Sequence, residues 1–241
     1  MPVITVNLPG RFGNQCMAYL HARTYAAKHG FDFQCDPWIG HAVFDLNNEP
    51  RTVHELPTRT ELTVNPGEGD ICFSTYAQSQ AAMLYPKSLA QDWLRLGEVA
   101  KMLAANMLPK DDNIVCHQRR DDYFPLGYPV VSKNSYMTAY HRFGFSPGKI
   151  DFIGDENPWG GVDRRHANVK FLPDFLRLMH APVLFRANSS FSWLAALLGN
   201  GRVFSPVVDG LGAGEHHVDF VEGNWPRFCS LDFVTDLHLP A

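Results

Sequence analysis

The residues best placed to do chemistry are two adjacent arginines, Arg119 and Arg120, in the segment His117-Gln118-Arg119-Arg120-Asp121-Asp122-Tyr123. They follow the short apolar run Ile114-Val115-Cys116, which reads as a buried strand. In open α/β sheets ligands bind at the carboxyl ends of strands. Two guanidiniums there present planar forks that match the oxygens of a doubly charged phosphate group. The alternative is a surface ion-pair knot in which the arginines meet Asp121 and Asp122. Three further segments carry polar groups at element ends. Gly10-Arg11-Phe12-Gly13-Asn14-Gln15 follows the apolar strand Val3 to Leu8. Asp155-Glu156-Asn157-Pro158-Trp159 follows Phe152-Ile153-Gly154, and Asn188-Ser189-Ser190-Phe191-Ser192-Trp193 follows Val183-Leu184-Phe185 and opens a helix.

Taken in order, these segments resemble the α-1,2-fucosyltransferases, glycosyltransferase family eleven. Members of that family show a GRxGNQ loop, an HxRRxDY segment, an apolar DDxxW segment and an NSSFSWW-type segment. The matches run from about residue 3 to residue 206. The resemblance implies a GT-B-like α/β fold in which two Rossmann-like domains face a cleft. It also implies an inverting, metal-independent enzyme that moves fucose from GDP-fucose to a glycan hydroxyl in α-1,2 linkage. Two rivals stay open: transfer of another GDP-hexose on the same scaffold, and a sugar-nucleotide-binding protein without catalysis.

The chemistry sets the roles. Transfer breaks the bond between the anomeric carbon and the β-phosphate oxygen, so negative charge grows on the leaving diphosphate. Preorganised cations and donors stabilise it. By resemblance Arg119, Arg120 and Asn14 are the catalytic candidates, with Arg119 favoured for the β-phosphate. His117, Asp155, Glu156, Asn188, Ser189, Ser190, Phe191 and Gly13 are assigned to the nucleotide sugar, and Arg11 and Gln15 to sugar or acceptor. Asn188-Ser189-Ser190 has a physical basis too, because free N–H groups at a helix start attract anions; one of these side chains can equally cap the helix. Asp155 or Glu156 can accept from the guanine N1–H and amine, although the composition also suits an ordinary turn. His117 either meets the nucleotide or orients Arg119.

No metal and no cofactor are expected. The acidic pairs Asp111-Asp112 and Asp121-Asp122 lack the Asp-x-Asp spacing used to hold a metal, and the arginines supply charge instead. A general base for the acceptor hydroxyl is not singled out among Asp45, Glu49, Glu55 and His21.

Composition narrows the class. At 241 residues, 45% hydrophobic and 12% aromatic, the chain can bury a substantial core. Its net charge of −4 gives no general attraction to nucleic acid or anionic membrane, so any anion site must be local. Five scattered cysteines without a CxxC pair suit reduced, buried thiols. No run approaches the roughly 18 apolar residues of a membrane span. A cytoplasmic location is expected.

The elements that must position these residues alternate. Strand 3–8 precedes a helix over about 14–29, with Gly30 as its C-cap, and then strand 31–35. Val53 and 62–64 are candidate short strands. An apolar stripe of Leu89, Trp93, Leu96, Ala100, Leu103 and Met107 predicts one long helix over 88–107, with Ser88 and Gln91 as a capping box. Strands at 114–118, 150–153, 168–172, 183–186 and 202–204 alternate with helices near 135–143, 174–179 and 190–198. This order predicts parallel sheets covered on both faces. The expected domains are 1–110 on the acceptor side and 111–225 for the nucleotide sugar, with 226–241 as a tail.

Overall fold

The computed structural model describes residues 2–52, 55–60, 69–74, 76–77, 86–107, 114–119, 131–145, 150–154, 169–187, 189–207 and 227–230. These fall into two compact units, one of the described residues up to Lys101 together with Val169, the other of the remaining described residues from Met102 onward.

The first unit is built on four parallel strands: β1 (Val3–Val6), β2 (Asp32–Phe33), β3 (Thr58–Arg59) and β4 (Ile71–Phe73), in the order β2-β1-β4-β3. Helix α1 (Phe12–His29) links β1 to β2. Gly30 ends it in the left-handed conformation at φ 70°, which costs glycine little, and Lys28 and His29 lie in the favourable last turn. Every residue from Gln15 to Ala22 is buried. Ile4 pairs with Ile71 and Val6 with Phe73, while Thr5 pairs with Cys72. Alternation therefore puts Ile71 and Phe73 on one face, where the rings of His21 and Tyr25 from α1 meet Phe73. Thr5 and Cys72 face the other way. The expected strands at Val53 and 62–64 lie outside the described residues.

The expected long helix over 88–107 is two helices, α2 (Lys87–Trp93) and α3 (Glu98–Met107). Leu96 leaves the helical path to form an antiparallel bridge with Phe44. Asp45 N–H donates to Arg95 O (2.8 Å), and Gly97 N–H donates to Val43 O (2.9 Å). These long-range backbone bonds outweigh one more helical turn, and Gly97 weakens that turn further. The capping box is also absent: Pro86 is the N-cap of α2, with no side-chain cap. Within α3 the stripe residue Ala100 is buried and Leu103 half-buried, while Val99 and Met102, outside the stripe, are exposed.

The second unit is a five-stranded sheet of β5 (Ile114–Gln118), β6 (Ile150–Gly154), β7 (Val183–Phe185), β8 (Arg202–Val207) and β9 (Arg227–Ser230), in the order β6-β5-β7-β8-β9. All pairs are parallel except β8–β9. Helices α4 (Lys133–Arg142), α5 (Leu172–Met179) and α6 (Ser190–Leu198) connect them. Ser132 caps α4 by accepting the Ser135 N–H at 3.2 Å. Tyr136 and Tyr140 of α4 pack with Cys116, Phe185 and Phe204 in one buried cluster. Phe185 and Phe204 stack at 4.7 Å in neighbouring strands. The expected strand over 168–172 is instead a turn of 3₁₀ helix, Val169–Phe171, leading into α5. Pro173 explains the difference: it lies in the first turn of α5, where its missing N–H is not needed. Phe204 does not close the sheet, because β9 adds an antiparallel edge.

The expected α/β class, with two Rossmann-like units each built on parallel strands, is the one observed. No helix among the described residues is long and apolar enough to cross a membrane.

Candidate functional site

The second unit gathers five of the predicted residues at the carboxyl ends of β5 and β7. His117 is the fourth residue of β5 and only 3% exposed. Its carbonyl accepts the Tyr136 hydroxyl at 2.5 Å, which ties the strand end to α4. Its ring lies 5.8 Å from that of Phe191 on α6. The Nδ1 atom is buried and meets no hydrogen-bond partner among the described residues. Burial is the main reason its pKa falls from 6.5 to about 3, and the charges of Arg119 and Arg186 push it the same way. The imidazole is therefore neutral at pH 7 and offers hydrogen bonds rather than charge. Arg119 follows the strand and is half-buried. Arg120 lies outside the described residues, as do Asp155, Glu156 and Asn188.

Ser189 is the N-cap of α6, and its hydroxyl accepts the Phe191 N–H at 3.3 Å. The capping role weighed for this segment is thus present. Ser190 begins the helix and is half-buried. Phe191 packs against Phe171 and Phe175 as well as His117, so its ring also helps build the wall behind the strand end. Trp193 and Leu194 are core residues. Cys116, one residue before His117, is buried deeply enough that its thiol is pushed up to about 12, so it is no nucleophile.

Sequence reasoning missed Arg186, which directly follows β7 and is 0% exposed. Its Nε donates to Ser205 Oγ (2.6 Å) and its Nη1 to the Ala187 carbonyl (2.9 Å). The signal was available: a charged residue closes an apolar strand immediately before Asn188-Ser189-Ser190.

The first unit holds Arg11, Gly13, Asn14 and Gln15 at the start of α1. Gly10 takes φ +74°, and a Cβ there would come within 2.7 Å of Asn14 Nδ2 and 3.0 Å of the Tyr76 ring. Glycine is needed on both grounds. Arg11 is the N-cap and offers no side-chain cap. Gln15 is buried and donates through Nε2 to Gly10 O at 3.0 Å, so its amide shapes the loop from within. Gly13 is buried in the first turn, and Asn14 is half-buried.

The possible acceptor-side groups separate clearly. His21 is core, edge-on to Phe73. Glu49 is paired with Arg23. Asp45 accepts from Asn47 at 3.3 Å. Glu55 lines a polar cavity of about 440 Å³ with Asp36, Thr52 and Thr58, on the Thr5 face of the sheet. Among the described residues no group of three metal-ligating side chains comes together.

Two parallel-stranded α/β units, with a strand-end arginine in the second, can be compared with solved structures. The fold is shared with NodZ, an alpha-1,6-fucosyltransferase. The NodZ structure soaked with GDP-fucose matches at a TM-score of 0.56 and 13% identity, covering 96% of this chain and 99% of that one. The selenomethionine form of NodZ from Bradyrhizobium gives the same values. NodZ co-crystallised with GDP matches at 0.53 and 14% identity, over 84% of this chain and 94% of that one. At such identities the likeness to NodZ establishes the fold. No protein-family profile matches the sequence, and no curated protein is similar to it in sequence.

Proposed function

We propose that the chain is an inverting, metal-independent glycosyltransferase that moves fucose from GDP-fucose to a glycan hydroxyl. The observation that carries this reading is the strand end of the second unit. There Arg119, a neutral buried His117 and the α6 N-terminus share the carboxyl edge of a parallel sheet. The NodZ fold supports it, since NodZ structures hold GDP-fucose and GDP.

In this reading Arg119 and Arg120 neutralise the charge that grows on the β-phosphate as the sugar–oxygen bond breaks. Ser190 and the first N–H groups of α6 donate to the same diphosphate, while Ser189 holds the cap. With neither ring nitrogen protonated in excess, His117 contributes one donor and one acceptor to the nucleotide. Asp155 or Glu156 accepts from the guanine edge. Arg11 and Asn14, on a loop held by Gly10 and Gln15, address sugar or acceptor oxygens, with Asn14 kept as a catalytic candidate. The new bond forms from the acceptor oxygen to the anomeric carbon as the bond to phosphate breaks. The acceptor proton passes to a base, for which Glu55, exposed at the polar cavity, is the candidate among the four groups considered. The motif resemblance favours α-1,2 linkage, whereas NodZ is named for α-1,6, so linkage rests on the motifs alone.

Isothermal titration tests the donor. A site that hydrogen-bonds the guanine edge leaves a buried carboxylate unmatched when uracil enters, a strongly discriminating loss. GDP should bind clearly better than UDP, and joint Asp155→Ala and Glu156→Ala substitution should erode that preference. Equal affinity for the two nucleotides would remove the guanine assignment. Transfer should also survive EDTA; recovery of lost activity by Mn²⁺ alone would refute the metal-independent mechanism.

A further inference from the structure

Among the described residues, Arg186 is the only arginine, lysine or carboxylate that is buried. Its place follows from strand register. Cys116 pairs with Phe185, and Phe185 with Phe204. One step beyond each of these, His117, Arg186 and Ser205 form the next row across the sheet, on the face opposite the aromatic cluster. Arg186 N–H donates to Phe204 O at 3.0 Å, which keeps the row in register. The guanidinium spans from Ser205 Oγ on one side to the Ala187 carbonyl on the other.

That carbonyl is the focus of the turn into α6. The Ser189 N–H donates to it at 2.9 Å, and Ser192 Oγ lies 3.3 Å from both Ala187 O and Ser189 O. Ser189 and Ser192 are themselves buried. A turn secured this way has little freedom left, so the donors at the α6 start are set before any ligand arrives. A fully buried guanidinium is a costly way to secure it, because the ion must leave water. Apolar packing of similar volume often does as well or better for stability alone. Its charge also reaches the ligand side of the row, for it acts on His117 together with Arg119.

We propose that Arg186 is a positioning residue for a diphosphate: it fixes the Ala187 turn and adds a permanent positive charge at the carboxyl edge of the sheet. This rests on the reading of that edge as the donor site. The residue does not touch the ligand; it acts through the α6 turn and through its field.

Titration calorimetry on the full chain separates the possibilities, with inorganic diphosphate and guanosine as probes. Arg186→Met should weaken diphosphate by about tenfold or more, the size seen when residues that orient a binding group are lost. Guanosine, which carries no phosphate, should change by less than about twofold. Arg186→Lys should recover part of the diphosphate loss by restoring charge. Equal losses for both probes, or unchanged diphosphate affinity in folded Arg186→Met, overturn the proposal. If that variant does not fold, Ser205→Ala decides: it leaves the guanidinium but removes its Nε anchor, and should cost about threefold or more in diphosphate affinity. No change there overturns the proposal equally. A wild-type protein that binds no diphosphate removes the donor site itself and this inference with it. Binding by wild type and variants alike removes only the role of Arg186.

Discussion

Acidification should destabilise the protein through His117, and the size of the effect follows from its burial. The imidazole sits at about 3 in the fold against an ordinary value of 6.5, chiefly because burial penalises its charged form. At any pH between those values the unfolded chain binds a proton that the native state does not, so stability rises with pH across that window. The contribution is fully present above 6.5 and is lost as pH falls towards 3. Each unit below 6.5 removes about 1.4 kcal/mol, so about 2 kcal/mol is gone near pH 5. Against a typical total of about 5–15 kcal/mol that is a readily measured loss. Burial also pulls His41 and His180 down, and these act in the same direction in any variant. The assay is therefore a comparison: urea unfolding of wild type and His117→Gln at about pH 7.5 and about pH 5, where the pH-dependent difference cancels the other histidines. The wild-type advantage should shrink by about 2 kcal/mol between the two conditions. Proton NMR of the ring resonance missing from His117→Gln gives the direct reading. A resonance that titrates near 6.5, or a stability difference independent of pH, refutes the reasoning. It would also return a charged histidine to the site, which the proposed division of labour gives to arginines.

Arg119→Ala should lower turnover by on the order of 10²–10³, the usual cost of one transition-state donor, and Arg119→Lys should not restore it because the bidentate fork is lost. Near-normal transfer by both Arg119→Ala and Arg120→Ala would sink the clamp. Gly10→Ala forces a Cβ into left-handed backbone and against Asn14 and Tyr76. It should cost about 1–2 kcal/mol on backbone grounds alone and reduce transfer further by displacing Asn14. A stable, fully active Gly10→Ala protein would show that this loop plays no part. Glu55→Gln should slow glycan transfer while leaving GDP affinity unchanged; an unaltered transfer rate would remove Glu55 as the base.

Much of this architecture was legible because its causes are local. The 3.6-residue periodicity of 190–198 and the Gly30 stop after α1 specify their helices from neighbouring residues alone. The apolar run 114–116 followed by polar residues marked β5 correctly. What the sequence could not disclose depended on partners far along the chain. The helix over 88–107 breaks because Phe44 claims the backbone of Leu96, a bond between segments some fifty residues apart. Strands β2 and β3 have two residues each and β4 has three, so their neighbours rather than their own pattern make them strands. Gln15 has a residue type that suits sugar binding, yet its amide is engaged by the Gly10 carbonyl. Arg186 is the clearest case. Its type suggests a solvated surface charge, and only the lateral pairing of β5, β7 and β8 encloses it between His117 and Ser205. Local sequence sets which conformations each segment prefers; burial and cross-strand register arise from long-range packing, and these decided which polar groups are enclosed to hold the frame and which stay accessible.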